Sequence, residues 1–269
     1  MLKPLCLSAD MGQAGRLPYF VGFWIHMEIN EKHDYAGRPR EGHDRDTGTQ
    51  RTGASPLSVV IPAHEVTLAG ELAIPGGAAG VAVFAHGSGS SRHSPRNQFV
   101  ARAIRESGTG TLLFDLLTRE EEAADARDGH LRFDIGLLAE RLVAATQWMT
   151  GQANTRHLGI GYFGASTGGG AALVAAAQLG SVIGAVVSRG GRPDLAGAAL
   201  ARVEAPTLLI VGERDDVVVE LNEAAYGQLR CEKEFAIVPR ATHLFEEPGT
   251  LEEVARLAAA WFRRHLKPR

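Results

Sequence analysis

One decapeptide constrains this chain more than any other. Gly161-Tyr162-Phe163-Gly164-Ala165-Ser166-Thr167-Gly168-Gly169-Gly170 places a Gly-x-Ser-x-Gly turn between an apolar run and an alanine-rich run. Upstream, Leu158 to Phe163 is short, apolar and partly β-branched or aromatic, as a buried strand requires; downstream, Ala171 to Leu179 is dominated by helix formers. A strand that turns so tightly into a helix brings the two backbones close together. Gly164 and Gly168, two positions before and two after Ser166, remove the side chains that would collide there, and Ser166 is left exposed on a strained turn as a candidate nucleophile. The pentapeptide by itself arises by chance in a chain with 32 glycines, so it is the strand and helix flanks that identify it. Two blander readings compete. In one, the turn is glycine-rich and Ser166 or Thr167 merely caps the next helix. In the other it cradles a phosphate, but no Gly-Lys-Ser/Thr occurs, and the Gly-x-Gly-x-x-Gly order with its later acidic residue is missing.

A serine hydroxyl needs a histidine to take its proton and an acid to orient that histidine. Pro206 to Gly212 reads as a buried strand, and Glu213-Arg214-Asp215-Asp216 follows at its C-terminal end, where open α/β sheets present functional groups. Asp215 is the expected acid, and Asp216 is expected to cap the helix that follows. Glu234 to Pro239 reads as a further strand; Arg240-Ala241-Thr242-His243-Leu244-Phe245 then forms a loop before the helical pattern of Leu251 to Leu266, and His243 is the expected base. Ten histidines are present, and one in a loop is ordinarily a surface residue, so it is the joint placement that singles out His243. His265 lies at a basic helix end, where it is expected to complement the helix dipole.

The tetrahedral intermediate needs donors for its negative oxygen. Gly80 to Ala85 is an apolar strand that breaks into the glycine-rich loop His86-Gly87-Ser88-Gly89-Ser90-Ser91. The backbone N–H groups of Ser88 and of Thr167, the residue after the candidate nucleophile, are expected to form the oxyanion hole, with His86 holding the loop. The plain alternative is a flexible serine-rich turn.

The order Ser166, Asp215, His243 is the chain order of α/β-hydrolases. With Gly-Ala-Ser166-Thr-Gly-Gly-Gly, Val-Gly-Glu-Arg-Asp215 and Ala-Thr-His243-Leu-Phe in that order, the region from about Ser55 to Leu266 resembles the dienelactone hydrolase family. The loop His86 to Asn97 and the segment Phe114 to Glu122 resemble the hydrolase domain that some bacterial proteins carry fused to a phosphoribosyltransferase domain. The resemblance implies an α/β-hydrolase fold with a mostly parallel central sheet and helices on both faces, and the short stretch Arg189 to Pro206 leaves room for no sizeable cap domain. One departure matters: dienelactone hydrolases proper use a cysteine nucleophile, and this chain has Ser166, so the dienelactone substrate does not carry over.

Organisation along the chain agrees with that class. Ser58 to Ile61 and Val66 to Ile74 look like antiparallel edge strands. The runs Val81 to Ala85, Thr111 to Leu117, Leu158 to Phe163 and Val182 to Ser188 alternate with helical patterns at Pro95 to Glu106, Ile135 to Met149 and Ala171 to Leu179. Only Arg189 to Pro206 separate two neighbouring strands at the position where a cap would be inserted, so an open pocket is expected, shaped by Ser88 to Asn97, Arg119 to Phe133 and Arg189 to Arg192. Arg92, Arg96 and Arg189 could meet an anionic part of a substrate or could be ordinary solvated arginines. Residues 1–54, with the polar stretch from Asn30 onward, are expected to be a flexible extension, or a lid using Tyr19 to Trp24, before a hydrolase domain at 55–269.

At 269 residues and 45% apolar composition the chain can bury one substantial core, and a net charge of −3 offers no footprint for nucleic acid. Cys6 and Cys231 support neither a disulfide framework nor a metal motif. Leu17 to Met27, interrupted by Pro18 and His26, is too short to span a membrane, and the start lacks the features of a secretory signal. The expectation is a cytoplasmic, cofactor-independent serine hydrolase without a metal, acting on a small-molecule carboxylic ester, thioester or lactone. An acyltransferase of the same fold, or a non-catalytic scaffold or binding protein, is the alternative. The oligomeric state is not legible.

Overall fold

β1 (Leu57–Ala63) and β2 (Val66–Ala73) form a hairpin whose register closes on Ala63 opposite Val66. The two-residue turn between them puts His64 in the left-handed region, with φ of 55°. This is a computed structural model, and it describes residues 55–269; the expectations for the N-terminal extension and for Tyr19 to Trp24 lie outside the described residues. From β3 (Gly80–Ala85) onward strands and helices alternate: α1 (Pro95–Glu106), β4 (Gly110–Phe114), α2 (Arg119–Asp125), α3 (Ile135–Gly151), β5 (Gly159–Ala165), α4 (Thr167–Leu179), β6 (Ile183–Arg189), β7 (Thr207–Gly212), α5 (Asp216–Gln228), β8 (Lys233–Val238) and α6 (Thr250–His265). They build one sheet in the order β1-β2-β4-β3-β5-β6-β7-β8. β2 runs antiparallel to both neighbours, and every pairing from β4 to β8 is parallel.

The inner strands are apolar throughout because both of their faces are covered. Val81, Val83, Ile160 and Tyr162 point into a core closed by Leu138, Leu142 and Met149 of α3 and by the alanines of α4. Ala82, Phe84 and Phe163 point the other way, against Val100 and Ile104 of α1 and Val254, Trp261 and Phe262 of α6. α4 packs between the sheet and its neighbours with nine of its thirteen residues buried, which explains why its sequence is alanine-rich rather than amphipathic. β1, at the sheet's edge, alternates exposed and buried residues instead.

Two segments differ in detail from the sequence reading. The strand expected over Thr111 to Leu117 stops at Phe114: the Asp115 N–H still bonds to Ala69 O of β2, but the Leu116 N–H leaves the sheet and donates to the His86 ring. Within Arg119 to Phe133, expected only to shape the pocket, α2 forms under a capping box: Thr118 Oγ1 accepts from the Glu121 N–H while the Glu121 carboxylate accepts from the Thr118 N–H. A 3-10 turn follows at Leu131–Phe133. The stretch between β6 and β7 holds only 3-10 turns over Pro193–Arg202, kinked at Gly197, and no cap helix.

Candidate active site

Ser166 sits at the junction of β5 and α4 with φ of 49° and ψ of −122°, a conformation costly for any residue with a Cβ. The surrounding bonds hold it there. Its N–H donates to Arg189 O at 3.2 Å, and its carbonyl accepts from the Gly169 and Arg192 N–H groups, each at 3.0 Å. Close packing accounts for the flanking glycines. A Cβ at Gly164 would lie 2.5 Å from Gly168 O, and one at Gly168 only 2.2 Å from Ala85 O, so strand and helix can meet only without those side chains. Ser166 occupies the N-cap position of α4 but makes no side-chain capping bond, which removes the capping reading for it.

Asp215 follows β7, and His243 lies in the loop after β8. The two loops are laced together: Arg214 N–H to Ala241 O at 2.9 Å, Glu213 N–H to Val238 O at 3.0 Å, and Arg240 N–H to Glu213 Oε2 at 2.7 Å. The backbones can close in because residue 212 is glycine; a Cβ there would lie 2.5 Å from Ala241 O. Arg240 and Phe245, on either side of His243, both have positive φ (67° and 57°), so the loop is bent sharply around the histidine. The outcome is a bond of 2.6 Å between His243 Nδ1 and Asp215 Oδ2, both residues buried.

Ser166 and His243 both lie beside Arg189-Gly190. The Ser166 N–H bonds to Arg189 O, while a Cβ at Gly190 would lie 3.6 Å from His243 Cε1. The structure therefore gathers Ser166, Asp215 and His243 at the C-terminal ends of β5, β7 and β8. Ser88 and Thr167 join them, with the Ser88 N–H donating to Thr167 Oγ1 at 3.0 Å. His86 is fixed by both ring nitrogens, since Nε2 accepts from the Leu116 N–H at 3.0 Å and Nδ1 lies 2.9 Å from Gly87 O, as befits a residue that holds its loop.

The three arginines separate. Arg92 is ion-paired with Asp115, which also accepts from the Arg92 N–H at 2.8 Å, and Arg96 pairs with exposed Glu246 at 3.3 Å. Arg189, by contrast, is the last residue of β6 and is only 5% exposed; it donates to Asn97 Oδ1 at 3.2 Å and lies over the Phe245 ring at 5.8 Å. Sequence reasoning also missed Asn222, fully buried on α5, whose side-chain amide donates to Gly191 O at 2.9 Å and so ties the helix after Asp215 to the loop beside Ser166. An asparagine within a helical pattern gives no sequence signal for that role. Among the described residues Asp125, Asp128 and His130 bring three potential metal-ligand atoms within 4.8 Å of one another, yet Asp125 is engaged by the Leu131 N–H at 2.6 Å and by Arg132.

The strand order, together with a serine turn after β5, an aspartate after β7 and a histidine after β8, defines an enzyme of the α/β-hydrolase fold. Residues 68–266 match the dienelactone hydrolase family, and the chain belongs to it. It is 59% identical to a dienelactone hydrolase of known structure from Anabaena variabilis, with a TM-score of 0.79, covering 80% of this chain and 100% of that one. It is also 57% identical over 208 residues to proteins of two Mycobacterium tuberculosis strains that carry the provisional name of phosphoribosyl transferase. That match covers 77% of this chain but 46% of each relative, so the chain spans about half their length. Est1E from Butyrivibrio proteoclasticus shares the fold at 15% identity, with a TM-score of 0.63 over 77% of this chain and 98% of that one. No helix among the described residues is long and apolar enough to cross a membrane.

Proposed function

We propose that this hydrolase cleaves a small carboxylic ester, thioester or lactone through an acyl-enzyme on Ser166, without a cofactor. The observation that carries the reading is the strained backbone of Ser166 at the strand–helix junction, with a buried His243–Asp215 pair packed against the adjoining Gly190. Strain of this kind persists only where the surroundings over-determine it, and it raises the serine out of the turn.

In this mechanism His243 Nε2 takes the proton of Ser166 Oγ as the oxygen adds to the carbonyl carbon. The carbonyl electron pair moves onto oxygen, whose charge is met by the oxyanion site proposed at Thr167, beside the loop that carries Ser88. Collapse expels the alcohol, which leaves with the proton from His243. Water then repeats the sequence, giving its proton to His243, and the acid departs with Ser166 restored. Asp215 holds the imidazole in the tautomer whose Nδ1–H faces the carboxylate and stabilises the imidazolium between these steps. The Anabaena relative's name points to a lactone; the serine at the elbow argues for the wider ester class. The reading includes a cytoplasmic setting, consistent with the free thiol of Cys231.

The test is labelling by a fluorophosphonate together with turnover of p-nitrophenyl acetate. Both are expected in the native protein and lost in Ser166→Ala. Unaltered hydrolysis by that variant would exclude the acyl-enzyme.

A further inference from the structure

The Ser88 N–H, expected from the sequence to be one of two backbone oxyanion donors, is instead taken up by Thr167 Oγ1 at 3.0 Å, and both residues are buried. This bond links residues 79 apart in sequence and joins the loop after β3 to the first turn of α4. It is not helix capping: the N-cap position belongs to Ser166, and Thr167 Oγ1 accepts from a different element altogether. A hydroxyl that accepts one bond still carries a proton to donate. The Thr167 hydroxyl thus lies beside Ser166, on the residue whose own N–H is the other proposed oxyanion donor.

We propose that Thr167 is a catalytic residue through its side chain: it presents both its backbone N–H and its Oγ1–H to the carbonyl oxygen of the substrate, while Ser88 acts as a positioning residue by donating to Oγ1. The proposal deepens the acyl-enzyme reading and rests on it. N and Oγ1 of one threonine are tied through the same Cα–Cβ bond, so a single oxygen can be met by both donors with little reorganisation. Accepting from an N–H polarises the buried hydroxyl and makes it a stronger donor. No proton leaves Thr167: the charge that develops when Ser166 adds is held by hydrogen bonds, and it returns to the C=O bond when the alcohol departs.

The experiment compares Thr167→Val, which keeps the shape and loses the hydroxyl, with Thr167→Ser, which keeps the hydroxyl, on p-nitrophenyl acetate. Loss of one oxyanion donor is expected to lower kcat by about 100-fold in Thr167→Val with KM within about threefold, and Thr167→Ser is expected to recover most of that loss. Fluorophosphonate stoichiometry reports that Ser166 is still presented, and Thr167→Ala serves in the same comparison if the valine variant does not fold. Undiminished or raised kcat in Thr167→Val, or equal losses in the serine and valine variants, would overturn the assignment. Activity persisting in Ser166→Ala overturns the underlying acyl-enzyme reading, whereas an inactive Ser166→Ala beside a fully active Thr167→Val overturns the Thr167 role alone.

Discussion

Asp215 stands at the N-cap of α5 yet makes no side-chain capping bond; its Oδ2 lies 2.6 Å from His243 Nδ1 instead. A residue type that ordinarily stabilises a helix start has been turned toward an imidazole, and the neighbouring Asp216, exposed in the first turn of α5, supplies the negative charge that the helix dipole favours.

This division of labour predicts opposite outcomes at two adjacent carboxylates. Asp215→Asn presents an amide that no longer stabilises the imidazolium and can stabilise the wrong tautomer, and kcat is expected to fall by about three to four decades. Asp216→Asn is expected to change kcat less than about twofold and to cost a few tenths of a kcal/mol in stability. Steady-state kinetics on one ester substrate decide it, and the reverse pattern would make Asp216 the acid.

Two glycine-to-alanine changes are expected to have opposite signs. Gly168→Ala drives a methyl to 2.2 Å from Ala85 O, and the forced separation of β3 from α4 should destabilise the protein by about 1–3 kcal/mol and depress kcat. Gly227, exposed within α5 with open space around its missing Cβ, should gain about 0.5–1 kcal/mol as alanine, through helix propensity. Denaturant midpoints of the two variants give the comparison; a stabilised Gly168→Ala would mean that β3 and α4 do not pack closely at this junction.

His265 predicts a pH effect. Although it ends a basic helix, its ring packs against Trp261 with centroids 4.2 Å apart, and burial pushes its imidazole below the usual value, more than Glu232 at 3.8 Å raises it. Its charge is therefore suppressed where a helix C-terminus would favour it. As pH falls the unfolded chain takes up this proton first, so the contribution is fully present above about pH 6.5 and is lost as pH drops toward and through the lowered folded value. His265→Phe should flatten the acid side of the stability curve over that interval by up to about 1.4 kcal/mol per pH unit. Parallel curves for wild type and variant would remove His265 from the account.

Acyl preference follows from what covers the pocket. Each buried methylene contributes up to about 0.8 kcal/mol only where apolar wall surrounds it. Between β6 and β7 there are only the 3-10 turns of Pro193–Arg202, so kcat/KM for p-nitrophenyl esters is expected to peak between acetate and hexanoate. A continuous rise through decanoate would show that another part of the chain covers the acyl group.

Much of this was legible beforehand, for reasons that can be traced residue by residue. The parallel strands buried on both faces announce themselves as unbroken apolar runs, and the first helix begins at Pro95 because proline suits the first turn and Ser94 accepts from the Asn97 N–H. α2 is not among the elements expected from the sequence, although Thr118 and Glu121 spell a capping box. The burial of Arg189 is not legible in the sequence, because it depends on partners such as Asn97, 92 residues away, that no local pattern reveals.

The sequence by itself determined the alternation of strands and helices, the serine turn with its two obligatory glycines, and the order of serine, aspartate and histidine. All of these rest on local sterics and on the period of apolar residues. Tertiary structure alone decided that Asp215 turns from its helix to His243, that the Ser88 N–H meets Thr167 Oγ1, and that Arg189 and Asn222 brace the loop beside the nucleophile. Each of those is a hydrogen bond between distant segments, set by how the strands pair and how closely their loops can pack.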